Sequence, residues 1–208
     1  MKDINLFRTE DSIYLKKVKF KSEVLKEDSC DGYLICKNPR FLTNFLLYEK
    51  EARRIIERIH SIIRGNREQV IGNRTKIIAI VGGDDVFNRR VIETLKVDYL
   101  VSVECKTGRG NLKQRDSGIN HVVAKMARDR GIVFVVDVSE ISRMKGIVKA
   151  LRLGRVIQNV KICRKAGCGL KIASFGLKES EVVGEVERRA FGVGLGMSSS
   201  QGASAVRF

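Results

Sequence analysis

The near-continuous apolar run from Ile132 to Val138 constrains the fold more than any other feature of the sequence. A strand that is apolar on both faces must be covered on both sides, as in a parallel sheet with helices around it. The segment before it has helical periodicity, with Asp116 or Ser117 as the expected cap and Gly131 as the expected end. Residues three and four apart form its apolar stripe: Ile119, Val122, Val123 and Met126. Its opposite face carries His121, Lys125 and Arg128.

Strand and helix patterns alternate along the rest of the chain. Apolar runs predict six strands, at 12–20, 32–36, 76–81, 97–104, 132–138 and 170–174. Helical patterns lie between and after them, and the last one begins with a capping box formed by Ser198 and Gln201. Such alternation implies parallel strands joined by right-handed crossovers. A TIM-like (β/α) barrel and an open parallel sheet with helices on both faces fit this pattern equally well.

A single domain is expected for residues 1–208, because 43% hydrophobic content supports a full core and no linker-like segment divides the chain. Neither a run of about 18 apolar residues nor a charged-then-apolar leader is present, so no membrane span and no secretory signal are predicted. Five cysteines, an odd number, favour free thiols in a reducing compartment over a disulfide framework. We therefore expect an intracellular protein.

Basic residues outnumber acidic ones by a wide margin, with 40 Lys and Arg against 24 Asp and Glu and a net charge of +16. A field of this sign attracts polyanions. Nucleic acid is favoured over the rival, an anionic membrane surface, because neutralised phosphates release counterions. Aromatic residues make up only 6% of the chain, so base stacking on an exposed platform is not expected. Contacts with the shape and the phosphate backbone of the nucleic acid should dominate.

The cations are concentrated in one polar loop and on the helix that follows it. The loop contains Gly108 and Gly110, which would let the backbone approach a phosphate closely. The cations of the loop and the helix are Lys106, Arg109, Lys113, Arg115, His121, Lys125 and Arg128. Any one of them could be a solvated surface residue, but the cluster together predicts a phosphate-binding surface. His121 suits a phosphate contact better than general base catalysis, since the sequence places no partner beside it.

Five acidic residues stand at or just beyond the ends of predicted strands, where parallel α/β folds place active sites: Asp84, Asp85, Glu104, Asp137 and Glu140. Three of them are the candidate metal ligands: Asp84, Glu104 and Asp137. With Mg²⁺ or Mn²⁺, which prefer oxygen ligands, they would form a metal-dependent phosphoesterase or nuclease. The competing interpretation is structural, with Asp84 or Asp85 capping one helix, Asp137 or Ser139 capping the segment after the third strand, and Glu104 paired with a neighbouring arginine. Only His60 and His121 are available for a zinc or His-rich centre, so none is expected. We predict no catalytic residue and no metal site, with the metal enzyme as the alternative.

A series of motifs follows in a fixed order: Asn88-Arg89, Leu95-Lys96-Val97-Asp98-Tyr99-Leu100, Arg115-Asp116-Ser117-Gly118-Ile119-Asn120-His121-Val122, Ala124-Lys125, and the strand after Gly131. In order and spacing these motifs resemble the ribonuclease P (RNase P) protein component 3 family, also known as the 30-kDa subunit of RNase P and RNase MRP. The resemblance covers roughly residues 76–205 and is strongest over 88–138. The first 75 residues match little.

The resemblance implies a TIM-like barrel related to metal-dependent phosphoesterases but used as a scaffold. The chain would be a non-catalytic RNA-binding subunit of RNase P, or of RNase MRP as well, and would support RNA-catalysed removal of 5′ leaders from precursor tRNA. Its partners would be the RNase P RNA, precursor tRNA, a small ferredoxin-like protein subunit and the other RNase P proteins. The chain alone would be inactive and need no cofactor, whereas the catalytic RNA would require Mg²⁺.

By motif position, the resemblance assigns RNA contacts to Arg89 or Arg90, Arg115, His121, Lys125 and Arg130. Together with the charge cluster, the predicted RNA-binding set is Arg89, Arg90, Arg109, Lys113, Arg115, His121, Lys125, Arg128 and Arg130. No contact with a membrane is expected. The resemblance also implies a location, which would be the nucleus or nucleolus in a eukaryote and the cytoplasm in an archaeon.

Overall fold

The computed structural model describes residues 2–8, 12–25, 28–36, 45–65, 76–105 and 116–208. Seven strands form one sheet, and each strand pairs in parallel with the next strand along the chain. Their bounds are β1 Asp3–Asn5, β2 Ser12–Val18, β3 Gly32–Ile35, β4 Ile77–Val81, β5 Tyr99–Val101, β6 Val133–Asp137 and β7 Leu170–Ala173. All six predicted strands are present. The pattern missed β1, because three residues are too few to show a period.

Seven α-helices lie in the described ranges. They are α1 Phe45–Gly65, α2 Asp85–Thr94, α3 His121–Asp129, α4 Val138–Arg143, α5 Gly146–Ala166, α6 Glu185–Gly194 and α7 Ser199–Ala205. The predicted capping box of Ser198 and Gln201 is confirmed at the start of α7. None of these helices combines the length and the apolar character that crossing a membrane requires. All five cysteines are free thiols, as predicted.

Backbone hydrogen bonds between the last strand and the first curl the sheet into a nearly closed barrel. The Phe175 amide donates to the Ile4 carbonyl oxygen at 2.8 Å, and the Leu6 amide donates to that of Gly176 at 3.0 Å. The prediction of a TIM-like barrel is therefore confirmed, and the alternative of an open sheet is wrong. The strands end at the carboxyl rim of the barrel (82–83, 102–105 and 137–140) and begin at its amino rim (76–77, 97–99 and 130–133).

A buried ion pair holds the same junction from outside the sheet. Arg188 of α6 donates to Oδ1 of Asp3 in β1, and both side chains are nearly inaccessible to solvent. The same carboxylate oxygen accepts a hydrogen bond from the Ser174 amide at 3.1 Å. Helix α6 and the end of β7 therefore fix the position of the first strand.

Apolar side chains fill both faces of the curved sheet. Alternate residues point into the barrel, and this inner cluster consists of Ile4, Leu15, Leu34, Ala79, Val101, Val135, Ala173 and Phe175. The residues between them, such as Ile80, Leu100 and Phe134, pack outward against the helices. Because β6 is covered on both sides, its sequence is apolar without alternation, which accounts for the run from Ile132 to Val138.

Helix α3 begins later than the sequence predicted. Its cap is Asn120, whose side chain accepts a hydrogen bond from the Val123 amide at 2.9 Å, so the prediction of Asp116 or Ser117 as the cap is wrong. Val122 is 62% exposed, so its predicted place in the apolar stripe is wrong. The buried face consists of Val123, Ala124 and Ala127. The predicted end is confirmed, since Gly131 follows the helix with a φ of +70°.

Candidate nucleic-acid interface

Three segments of chain meet at the carboxyl rim around the fully buried side chain of Asn88. Its Oδ1 accepts a hydrogen bond from the Gly83 amide at 2.7 Å. Its Nδ2 lies 2.9 Å from the carbonyl oxygen of Val103 and 2.8 Å from that of Gly118. Asn88 therefore ties the ends of β4 and β5 to the segment that leads into α3, and it satisfies backbone groups that the interior would otherwise leave unpaired.

The turn at Gly118 brings two backbone segments into direct contact. Gly118 has a φ of +84°, and a Cβ at this position would lie 1.9 Å from the carbonyl oxygen of Val103. From the other side, Nδ2 of Asn159 in α5 donates to the carbonyl oxygen of Ser117 at 3.1 Å. The two chain segments that flank residues 106–115 are thus fixed against each other. The predicted cations of that segment, Lys106, Arg109, Lys113 and Arg115, lie outside the described residues.

The predicted cations on the helices differ in what they contact. Arg89 and Arg90 are exposed on α2, where Arg89 forms an ion pair with Glu93 at 2.7 Å. Lys125 is exposed on α3, which packs against α2. These three side chains therefore lie on adjacent helices with their charged groups accessible from solvent.

Arg128 and Arg130 also have structural roles that sequence reasoning did not anticipate. Arg128 Nη1 donates to the carbonyl oxygen of Ala166, the last residue of α5, at 2.9 Å. Arg130 Nη1 donates to the carbonyl oxygen of Ile92 in the last turn of α2 at 2.7 Å. Each arginine satisfies a helix-end carbonyl, and both lie at the amino-rim end of α3. The predicted set is therefore spread along α3 from one rim to the other.

His121 is the first residue of α3, at the carboxyl rim. It is half-buried. Its Nδ1 is buried and makes no hydrogen bond to any described residue. A nitrogen in this state can bond a ligand or a water molecule, because neutral imidazole has one donor and one acceptor.

A buried arginine neutralises the carboxylates near the end of β5. Glu104 is fully buried, and its Oε1 lies 3.2 Å from Nε of Arg152 in a charge contact that lacks hydrogen-bond geometry. Nη2 of Arg152 also contacts Oε2 of Glu140 at 2.7 Å, and the same oxygen accepts a hydrogen bond from Ser102 Oγ. Burial raises the pKa of Glu104, and the charge of Arg152 opposes that rise. The prediction that Glu104 pairs with an arginine is confirmed.

The other two strand-end carboxylates are helix caps. Asp84 accepts a hydrogen bond from the Phe87 amide at the start of α2, and Asp137 accepts one from the Glu140 amide at the start of α4, both at 2.8 Å. The capping interpretation is thus confirmed for both residues. Within the described ranges, no group of three or more His, Cys, Asp or Glu side chains is arranged to hold a metal ion.

The cap at Asp137 leads to a pH-dependent prediction. Burial and the charge of Glu140 raise the pKa of Asp137 to about 7, although the bond from the Glu140 amide opposes the shift. An aspartate with a raised pKa stabilises the fold below its unfolded pKa of about 4, and this contribution is lost as the pH rises towards 7. Asp137→Asn keeps the cap, because asparagine caps as well as aspartate. The variant should therefore be more stable than the native chain at pH 8 by roughly 1–4 kcal/mol, and the gain should shrink at pH 5.

Urea unfolding of both proteins at pH 5 and pH 8 measures this difference directly. Other titrating groups are shared by the two proteins and cancel in the comparison. A stability difference that stays constant between the two pH values would contradict the raised pKa of Asp137.

Asn88 and Arg152 are the important residues that sequence reasoning did not select as site residues. Both carried a signal, because each polar side chain stands among apolar residues on the inward face of its helix. Arg152 is four residues before Val156 and eight before Val160, which are both buried. A polar residue within an apolar stripe must find partners inside the protein.

Comparisons with known proteins agree with the family resemblance of the sequence. No model of a protein family matches the chain. RNase P protein component 3 of Thermococcus gammatolerans is 28% identical over 161 residues, which are 77% of this chain and 70% of that protein. The protein of the same name from Methanocaldococcus jannaschii is 27% identical over 119 residues, 57% of this chain and 48% of that protein. The chain spans about half the length of most of the curated relatives that it matches.

Solved structures share the fold. A chain in a cryo-EM structure of archaeal ribonuclease P with mature tRNA superposes with a TM-score of 0.55 at 20% identity, and the match covers 99% of this chain and 87% of that one. A crystal structure of an uncharacterised protein gives a TM-score of 0.54 at 11% identity, over 86% of this chain and 42% of that one. At these identities the matches are evidence about the fold alone.

Proposed function

Because the chain is homologous to the RNase P protein component 3 family, we propose that it is a non-catalytic RNA-binding subunit of ribonuclease P. In this role it supports RNA-catalysed removal of 5′ leaders from precursor tRNA. The observation that carries the proposal is the sequence match to archaeal component 3 proteins, which extends over 77% of the chain for the Thermococcus relative. The net charge of +16 fits an RNA partner.

The proposed assembly follows from the same relationship. The chain would contact the RNase P RNA, precursor tRNA bound to the particle, a small ferredoxin-like protein subunit and the other RNase P proteins. Membership of RNase MRP as well is a further option within the proposal. The chain itself would need no cofactor, and Mg²⁺ would serve the catalytic RNA. The named relatives are archaeal, which favours the cytoplasm among the predicted locations.

The proposed RNA contacts begin at the carboxyl rim. Bonds of Asn88 and the close approach of Gly118 to Val103 fix both ends of the segment that carries Arg109, Lys113 and Arg115. We propose that the cations of this segment contact RNA phosphates. The neighbouring cations would extend the surface along the helices: Arg89, Arg90, His121, Lys125, Arg128 and Arg130.

The alternative, a metal-dependent phosphoesterase or nuclease, would need the strand-end carboxylates. Each of them is engaged in another role, since Asp84 and Asp137 cap helices and Glu104 forms an ion pair with Arg152. The carboxyl rim is thus occupied by structural contacts where such an enzyme would gather free ligands. A scaffold that positions RNA is the function that this arrangement favours.

Two measurements on the tagged protein test the proposal. Sequencing of co-purified RNA should recover the RNase P RNA, and the purified chain alone should not cleave precursor tRNA in the presence of Mg²⁺ or Mn²⁺. A reconstituted particle that lacks the chain should process precursor tRNA more slowly than the complete particle. Metal-dependent cleavage by the chain alone, abolished in Asp137→Asn, would revive the enzyme and contradict the scaffold.

A further inference from the structure

A second cationic region lies at the amino rim, at the opposite end of the barrel from Asn88 and Gly118, and includes Arg130 of the proposed contacts. A cavity of about 1080 Å³ opens there beside the first residues of β4 and β5. Its walls come from the last turn of α1 and from the residues that directly follow α2 and α3. Five basic side chains and one carboxylate line it: His60, Arg64, Lys76, Lys96, Arg130 and Asp98. The cavity is open to solvent and large enough for several atoms of a nucleic-acid backbone.

The charge of this cleft is positive even after the helix ends are included. Its four Lys and Arg residues contribute four positive charges, and Asp98 contributes one negative charge. Each of the three helix C-termini adds roughly half a negative charge. With His60 counted as neutral, the sum is roughly +1.5 charges. The cleft therefore attracts anions.

Some of these cations also hold the protein together. Arg130 Nη1 bonds the carbonyl oxygen of Ile92, and Lys76 Nζ bonds those of Asp28 and Cys30. The carboxylate of Asp98 accepts a hydrogen bond from the Ile78 amide at 2.8 Å. The bond to Ile92 uses one of the five N–H donors of the Arg130 guanidinium, and the other donors can bond a ligand.

Two cations have no such role. Lys96 is exposed and makes no hydrogen bond or ion pair with any described residue. Arg64 is exposed, and its Nε makes only a long contact of 3.4 Å with the carbonyl oxygen of His60 within its own helix. Bonds to carbonyl groups of other segments therefore account for Arg130 and Lys76, and the described residues give Lys96 and Arg64 no comparable structural role.

We propose that the amino-rim cleft binds a stretch of RNA phosphate backbone at a site separate from the carboxyl rim. The cations come from four separate places in the chain, namely α1, the residue before β4, and the residues that follow α2 and α3. Cations spread in this way suit an extended polyanion better than one small anion. Among the described residues, three helices end beside the cleft, and a helix end offers carbonyl groups where a single phosphate would need a cluster of backbone amides. The inference rests on the proposed function and adds a second point of attachment to it. Nine residues of α3 at 1.5 Å each separate the rims by roughly 14 Å, which an RNA strand spans in a few nucleotides.

The test compares binding of a transfer RNA transcript to the full chain and its variants by fluorescence anisotropy over a range of salt concentrations. The double variant Arg64→Ala/Lys96→Ala should bind roughly tenfold more weakly near 150 mM salt. Its plot of log affinity against log salt should be less steep by about 1.4 to 1.8, at 0.7 to 0.9 per lost phosphate contact. Arg189→Ala, at an exposed position on α6, is the matched control and should change little. Thermal unfolding checks that the variants are folded.

Lys125→Ala separates a failure of the cleft from a failure of the proposed function. If Lys125→Ala weakens binding while Arg64→Ala/Lys96→Ala binds as the native chain does, the cleft is not an RNA site and the proposed function stands. If the native chain shows no salt-dependent binding of RNA, both the proposed function and the proposed RNA site in the cleft are wrong. If inorganic phosphate binds to the native chain but not to the double variant, while RNA binding is equal in both, the cleft is a site for small anions and the proposal is wrong.

Discussion

Arg152→Ala is expected to lower the free energy of unfolding by about 3–5 kcal/mol, because it removes one partner of a buried ion pair and leaves the other without compensation. Arg152 is almost inaccessible and contacts both Glu104 and Glu140. The loss should be smaller at pH 5 than at pH 8. Burial already raises the pKa of Glu104, and without the arginine the carboxyl can avoid the cost of a buried charge by binding a proton.

Urea unfolding measures this loss, and two further variants identify its cause. Lys161→Ala, at an exposed position of the same helix, should stay within about 0.5 kcal/mol of the native chain. The double variant Arg152→Met/Glu104→Gln removes both buried charges and should recover much of the lost stability. If Arg152→Ala costs no more than Lys161→Ala, the ion pair does not stabilise the carboxyl rim.

Gly118→Ala should be the second severe substitution, with a loss of roughly 2–5 kcal/mol. A left-handed backbone costs a residue with a Cβ about 1–2 kcal/mol, and forcing an atom into a filled space costs about 1–3 kcal/mol more. The added Cβ would lie 1.9 Å from the carbonyl oxygen of Val103, so one of the two segments must move. That movement would also disturb the bonds of Asn88 that fix the base of residues 106–115.

Gly131→Ala is the matched control for this prediction. Gly131 has a similar φ of +70°, but no atom lies within 4 Å of the position that its Cβ would take. It should therefore lose only the roughly 1–2 kcal/mol that belongs to backbone strain. Urea unfolding measures the loss of stability in both variants. Equal losses would mean that the backbone near Gly118 and Val103 can move to admit a Cβ without a loss of stability.

The parallel architecture was predictable because both of its signals are local. The apolar run of β6 and the periodic helices around it follow from burial on both faces of a sheet. The choice between barrel and open sheet was not available from the pattern, since it depends on bonds between Ile4 and Phe175, which are far apart in the sequence. The family resemblance supplied the barrel instead.

The candidate site was predictable in part for the same reason. Capping by Asp84 and Asp137 depends on the three residues that follow, so the sequence contained it. The partner of Glu104 is Arg152, which lies 48 positions away on α5. The bond of Arg130 to Ile92 at the end of α2 joins residues 38 positions apart. Sequence patterns indicate that such polar residues need partners, but only the tertiary fold selects them.

The bond between Asp3 and Arg188 joins residues 185 positions apart, which has a consequence for how the protein reaches its native state. Until the residues of β7 and α6 have been synthesised, β1 lacks the partners that they provide in the folded chain. The free edge of β1 exposes unpaired backbone groups through most of translation, and such an edge can pair with another nascent chain. Closure of so long a loop is also a slow, late step of folding. The nascent chain is therefore most prone to aggregation before its last elements emerge.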